Sequence, residues 1–249
     1  MCIRDRFNTA GYAVGCVHPG DPISGIDVYL VPHFTLFRQE WVPGLEAWVR
    51  AGGTLVIGAR TATKDPHGNV VAETLPGILR AMTGTRVEEY GRLNRPEARP
   101  LSLGFKHAPA DPVPGTLWYE WLVPEKGTEV LATWSRQHLS GCPAVTIRRL
   151  GAGCVIYAGT YFTAPFIAGL MAELRSNGLL PPPENPVPGV EQVVRTDGKK
   201  RFRFFINHQE SEVTIPLVLP GDELIGQTGA KGSLVLGANG VAVVREHSA

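Results

Sequence analysis

Few cysteines, no long apolar run and almost no net charge mark this 249-residue chain. Its four cysteines, Cys2, Cys16, Cys142 and Cys154, form no Cys-x-x-Cys pair, and none has a histidine at metal-ligand spacing. That pattern argues against a zinc site, and scattered cysteines of this kind are usually small buried apolar residues in a reducing compartment. The expectation is therefore a cytoplasmic protein without a metal. No apolar run approaches the roughly 20 residues that a spanning helix needs, which excludes a transmembrane helix. Lys and Arg number 24 against 23 Asp and Glu, so no overall field draws the chain to nucleic acid or to an anionic membrane. The short cluster Lys199-Lys200-Arg201 precedes Phe202 and reads as a basic turn leading into a strand.

What is present is a globular composition, 43% apolar and 19% charged, organised as alternating strand and helix signals. Tyr12 to Val17 and Ile26 to Val31 are short apolar runs closed by His18-Pro19-Gly20 and by Pro32. Leu45, Trp48 and Val49 share one helical face, and Ala51-Gly52-Gly53 stops that helix. Thr54-Leu55-Val56-Ile57 has the continuous apolar character of a buried parallel strand. Asp65-Pro66-His67-Gly68 is a turn, and residues 75–82 read as a short helix ended by Gly84. Strand, helix, strand in this order predicts a doubly wound, mostly parallel sheet.

Residues 91–115, rich in Pro and Arg, form an excursion without a readable pattern. Strand character returns over 116–123 and 129–134, and residues 144–157 read as a hairpin turning at Gly151-Ala152-Gly153. Thr163 is placed to cap a helix reaching Ser176, with Phe166, Ile167, Leu170, Met171 and Leu174 at helical spacing and Gly178 beyond its end. The stretch Leu180 to Gly189 holds five prolines and reads as a semi-rigid linker. Beyond it, runs at 190–195, 201–207, 212–219, 233–236 and 241–245 predict a small antiparallel β-sandwich or barrel.

The motifs that usually carry chemistry are missing. Neither a Gly-x-Gly-x-x-Gly nor a Walker pattern follows a strand, and no Gly-x-Ser-x-Gly elbow occurs. A doubly wound sheet binds ligands beyond the carboxyl ends of its strands, here Pro32-His33-Phe34-Thr35 and Gly58-Ala59-Arg60-Thr61. Class I glutamine amidotransferases place a nucleophilic Cys on such a strand-to-helix turn. The corresponding turn here is Gly58, Ala59 and Arg60, and no Cys lies between Cys16 and Cys142, so thiolate chemistry has no nucleophile. Glu120 and Glu173 are the carboxylates weighed for paired glycosidase chemistry. Glu120 sits among Trp118, Tyr119 and Trp121, a setting suited to stacking sugar rings; the plainer reading makes it an outward-facing residue on an amphipathic strand. For His33, a hydrogen-bonded structural role outweighs a ligand-facing one. No catalytic, cofactor-binding or metal residue is assigned, and no cofactor is expected.

The runs Asp27 to His33, Ala51 to Val56, Arg60 to Asp65, Leu75 to Leu79, Gly84 to Tyr90 and Arg149 to Thr160 together resemble the middle domain of glycoside hydrolase family 42 β-galactosidases. Gly189-Val190-Glu191, Phe204 to His208 and Gly240 to Val244 resemble that family's C-terminal β domain. The likeness extends from about Asn8 to the end of the chain and rests on the order and spacing of these runs.

The resemblance implies a flavodoxin-like, class I glutamine amidotransferase-like α/β domain followed by a small all-β antiparallel domain. It implies a homotrimer as well, and two catalytic glutamates in a (β/α)8 barrel that would precede this segment, so no catalytic residue transfers to any position here. The expected organisation is a trimerisation domain over 7–178, a linker over 179–189 and a β domain over 190–249. Residues 1–6 (Met1-Cys2-Ile3-Arg4-Asp5-Arg6) resemble translated sequencing-linker DNA from environmental data and are set apart as a scar. With its first strand and helix clipped, the fragment is expected to aggregate. The functional expectation is a non-catalytic assembly and accessory region of an enzyme that hydrolyses terminal β-D-galactosides with retention. The alternative is a free-standing carbohydrate-binding or scaffolding protein with a degenerate amidotransferase-like domain. A third and weaker reading is an amidotransferase-like hydrolase with an unfamiliar nucleophile.

Overall fold

The computed structural model describes residues 3–93, 102–106, 113–135, 137–183 and 185–247. The chain divides into two compact units, one formed by Val17–Pro181 and the other by Met1–Cys16 together with Pro182–Ala249.

In the first unit, β1 (Val28–Val31) leads through helix α2 (Val42–Arg50) to β2 (Thr54–Gly58). A short helix α3 (Arg80–Thr83) follows, then β3 (Thr85–Arg92), β4 (Ser102–Phe105), β5 (Val113–Pro114), β6 (Trp118–Pro124), β7 (Thr128–Trp134), β8 (Pro143–Leu150), β9 (Gly153–Ala158) and helix α4 (Ala164–Ser176). Seven of these strands form one sheet in the order β1-β2-β9-β8-β7-β4-β5, while β3 and β6 pair as a separate ribbon. The α/β class holds. Its parallel ladder consists of β1 with β2 and β2 with β9; from β9 onward the sheet is antiparallel. The switch follows from the connections. The two-residue turn at Gly151 can join only antiparallel neighbours, whereas β1 and β2 are joined by a helical crossover.

The core matches the apolar positions of the sequence. Leu45 and Val49 of α2 are buried with Tyr29, Val31, Leu55, Ile57, Val155 and Tyr157. Burying side chains of this size contributes about 1.5–3 kcal/mol each. Close backbone approach requires glycine at Gly153, where a Cβ would lie 2.2 Å from the carbonyl oxygens of both Gly53 and Val49. There the end of α2 meets the β8–β9 turn, with Ala152 N–H donating to Arg50 O at 2.9 Å. Thr163 caps α4 as its position predicts, accepting from Phe166 N–H.

Two local expectations are corrected. Tyr12 to Val17 is apolar but forms no strand. It finds no ladder: β1 pairs only with β2, and the carbonyl of Val17 instead accepts from the Tyr29 hydroxyl at 3.2 Å. The excursion over 91–115 holds β4 and β5, and the rest of it, at 94–101 and 107–112, lies outside the described residues.

In the second unit, β10 (Val190–Thr196), β11 (Arg201–Asn207), β12 (Val213–Pro216), β13 (Gly221–Glu223), β14 (Thr228–Ala230), β15 (Ser233–Leu236) and β16 (Val241–Glu246) are all antiparallel. The main sheet runs β10-β11-β16-β13-β14, and β12 pairs with β15. Phe205, Ile215, Ala242 and Val244 lie in its core. Helix α1 (Ile3–Thr9) belongs to this unit, and Arg4 reaches Glu191 on β10 at 2.8 Å. The basic cluster at 199–201 is the turn expected of it: Asp197 accepts from the backbone N–H groups of Lys199 and Lys200, and Arg201 opens β11.

Candidate functional site at the carboxyl edge of the parallel strands

Strands β1, β2 and β9 end side by side, and the residues that follow them carry the most constrained chemistry of the α/β unit. His33 follows β1 with φ at 54°, and Arg60 and Ala62 follow β2 with φ at 65° and 59°. Leu117, just before β6, has φ at 63°. Among the described residues these are the unit's non-glycine positions with left-handed backbone, each costing about 1–2 kcal/mol. Clustered strain of this kind marks functional or strictly positioned loops.

His33 is held on every side. Nδ1 lies 3.1 Å from Ala59 O, and Nε2 accepts from Phe162 N–H at 3.1 Å. These partners require the neutral tautomer with its proton on Nδ1. The ring stacks on Tyr161 at 3.9 Å. A Cβ at Gly58 would approach that ring to 2.9 Å, so glycine is needed there. Burial, and secondarily the Arg60 charge against the opposing bond to Ala59, lowers the imidazole pKa to about 4. This is the structural histidine that its sequence context favoured.

Glu120 is the centre of the arrangement, and here the sequence reading is overturned. It points inward and is 1% exposed. Oε1 accepts from Arg60 N–H at 3.0 Å and from Trp118 Nε1–H at 3.1 Å, while Oε2 accepts from the Tyr157 hydroxyl at 2.8 Å. Its backbone N–H donates to Gly159 O, and its carbonyl accepts from Trp134 Nε1–H. Burial raises the carboxyl pKa, opposed by the bonds from Tyr157, Arg60 and Trp118. Burial and the neighbouring Glu120 together push the Tyr157 hydroxyl well above its usual range. Leu122, two residues further along β6, is buried on the same face, because alternate residues of a strand share a face; with Tyr119 and Trp121 on the other face, the sequence pattern carried no signal that chose between them.

Outside this carboxylate stands a column of side chains. The Arg60 guanidinium lies over the Trp118 ring at 4.8 Å, and Tyr90 stacks on Trp118 at 5.4 Å. Thr61 ties the neighbouring loops, donating to Gly58 O at 2.7 Å and accepting from Phe34 N–H.

The remaining reactive side chains of this unit are held by internal contacts. The turn after β2 carries Arg60, whose backbone N–H is bound to Glu120. Cys154 lies within β9, buried beside Thr54 Oγ1 at 3.8 Å, and burial raises its thiol pKa, so it is held as the unreactive thiol. Glu173 on α4 is wholly buried and bonded to Asn177 Nδ2 at 3.1 Å. Among the described residues no group of three His, Cys, Asp or Glu side chains could hold a metal ion, and no helix is long and apolar enough to cross a membrane.

Comparison with known proteins places this architecture. Residues 5–180 match the model of the β-galactosidase trimerisation domain, and residues 189–246 match that of the β-galactosidase C-terminal domain. The β-galactosidase BgaB of a Geobacillus species is 29% identical over 240 residues, which cover 94% of this chain and 34% of that protein. The β-galactosidase LacZ of Heyndrickxia coagulans is 26% identical over 204 residues, 82% of this chain and 30% of the other. Among solved structures, the β-galactosidase from Bacillus circulans sp. alkalophilus superposes with a TM-score of 0.88 at 21% identity, covering 98% of this chain and 36% of that one. The β-galactosidase from Rahnella sp. R3 gives 0.80 at 24% identity, covering 96% and 35%. The chain thus spans about a third of the length of the relatives it matches. It belongs to the glycoside hydrolase family 42 β-galactosidases and carries their trimerisation and C-terminal domains.

Proposed function

We propose that this chain is a non-catalytic assembly region of a β-galactosidase, holding its copies together as a homotrimer in the cytoplasm. The catalytic pair that cleaves terminal β-galactosides with retention then resides in sequence outside these 249 residues. The observation that carries the reading is the state of the two carboxylates suited to glycosidase work. Glu120 is buried and takes three donors on its two oxygens, and Glu173 is buried within α4 and bonded to Asn177. A retaining glycosidase needs two carboxyl groups about 5–5.5 Å apart, both open to the sugar; these two are engaged internally instead. The match of residues 5–180 to a trimerisation domain supports the assembly role.

Two measurements on the purified chain test this. Sedimentation equilibrium is expected to show a trimer, and incubation with a chromogenic β-galactoside is expected to release no product above background. Turnover at an enzyme-like rate would overturn the non-catalytic reading, and a monomer at every concentration would overturn the assembly reading.

A further inference from the structure

We propose that the second unit carries a binding site for a phosphate group, in a cavity between the β10–β11 turn and the end of β16. The cavity measures about 180 Å³, and its walls come from three separate stretches of chain: Thr196 to Arg201, Leu219, and Glu246 with His247. Sites for drug-sized ligands run from about 300 to 1,000 Å³, so this one suits an ion or the charged end of a larger molecule. The site does not rest on the assembly reading.

The charge of the walls decides the kind of ligand. Thr196 lies opposite Arg201, and Arg201 opposite Glu246, so the turn brings Lys199 and Lys200 to the end of the sheet that holds Arg201 and Arg203. Two carboxylates lie among these four cations, and both are engaged. Glu246 is buried and bound by Arg203 Nε at 2.6 Å and Arg201 Nε at 2.9 Å. Asp197 Oδ1 accepts from the backbone N–H groups of Lys199 and Lys200. A third carboxylate, Asp222, meets His247 Nε2 at 3.2 Å but is neutralised by its own arginine, Arg245, at 2.6 Å. Four cations against two carboxylates leave an excess of two positive charges. Among the described residues neither lysine ammonium has a carboxylate partner.

The turn itself does not need its lysines. Asp197 closes it through backbone groups, and Gly198 N–H donates to Thr196 Oγ1 at 3.0 Å. With its backbone N–H groups spent in this way, the turn offers a ligand only side-chain donors: the two ammonium groups, the Arg201 guanidinium and the Thr196 hydroxyl. Lysine binds phosphate as a point charge, and a guanidinium adds directed hydrogen bonds to the oxygens. Gathering these cations costs mutual repulsion, which an anion seated between them removes. A phosphate group carries about −1.5 to −2 charges at neutral pH and so matches the excess, where a carboxylate would match half of it. Leu219 closes the remaining wall without adding an acceptor that would oppose the anion.

Equilibrium dialysis of the 249-residue chain against radiolabelled inorganic phosphate, at an ionic strength fixed with chloride, tests the site. One saturable site per chain is expected, and the double change Lys199→Gln and Lys200→Gln is expected to weaken it by roughly tenfold or more. Both lysines are exposed, so the double variant is expected to melt as wild type does in the absence of phosphate. Should it melt lower, each single change, expected to weaken binding about threefold, decides the question. Lys126→Gln, in the other unit, is expected to bind as wild type does. Absence of saturation, or undiminished binding by the double variant, would overturn the site. Equal weakening by Lys126→Gln would also overturn it, by reducing the binding to general charge attraction. Unlabelled glucose 6-phosphate that competes better than unlabelled phosphate would support the site with a phosphate ester as its ligand, and weaker competition would support it with the free ion.

Discussion

Replacing Tyr157 with Phe deletes one hydroxyl from the Glu120 cluster and leaves the surrounding packing in place. The hydroxyl donates to Glu120 Oε2 at 2.8 Å, and both residues are 1% exposed, so water cannot take its place. The other two side-chain bonds of Glu120 fall on Oε1, and the deletion therefore removes the donor from one whole oxygen of a buried carboxyl group. A hydrogen bond to a charged acceptor is worth about 1.5–3 kcal/mol, and a buried acceptor stripped of its donor loses the upper part of that range. The expected loss is about 2 kcal/mol, or roughly 4–8 °C in melting temperature for a unit of this size. Urea unfolding followed by tryptophan fluorescence is a direct assay, because Trp118 and Trp134 both donate to Glu120.

The same change in a Glu120→Gln background tests the cause. The carboxamide introduced there keeps its carbonyl for Arg60 and Trp118 and turns its NH2 group toward the Tyr157 oxygen. The two changes should therefore couple by about 1 kcal/mol. Because burial raises the folded pKa of Glu120, its contribution is fully present below the unfolded value of about 4.3 and is lost as pH rises through the folded one. Wild type should thus lose stability relative to Glu120→Gln as pH rises above 4. A loss below about 0.5 kcal/mol for Tyr157→Phe, or equal losses in the two backgrounds, would refute the account of this cluster.

His33 should impose a pH dependence of opposite sign. With its pKa lowered from 6.5 to about 4, the unfolded state takes up a proton that the folded state refuses. Stability present above pH 6.5 is then lost as pH falls toward 4, by about 2 kcal/mol after discounting for partial exposure. Asn tolerates left-handed backbone, so His33→Asn should flatten the slope between pH 4 and 6.5 in urea titrations; an unchanged slope would assign it to other groups. Gly153→Ala forces a Cβ to 2.2 Å from two carbonyl oxygens and should cost about 3 kcal/mol or more. Gly104→Ala, where a Cβ meets nothing within 4 Å, should fall well below that cost in the same thermal melts.

Local chemistry in the sequence determined most of the elements. The Gly-Gly stop after α2, the Thr163 cap and the turn at Gly151 act within a few residues, so they are legible without tertiary contacts. The apolar run of β2 likewise identified a strand buried on both faces. The order of these runs also carried the family, because a strand–helix–strand pattern and its spacing are properties of the linear chain.

Tertiary structure alone decided where β6 points. Trp118 and Leu122 lie on one face of the strand and Tyr119 and Trp121 on the other, so hydrophobicity does not choose between them. Pairing with β3 and burial against the sheet turned Glu120 inward, to the Arg60 turn and Tyr157. The same holds for Tyr12 to Val17, since a strand needs a partner and the sheet offers this run none. Nor is the left-handed backbone at Leu117 and Arg60 written in residue type, for neither residue prefers it. It exists because Glu120 and the ends of three strands hold it there, which is why the most constrained surface of this protein emerges only in the folded state.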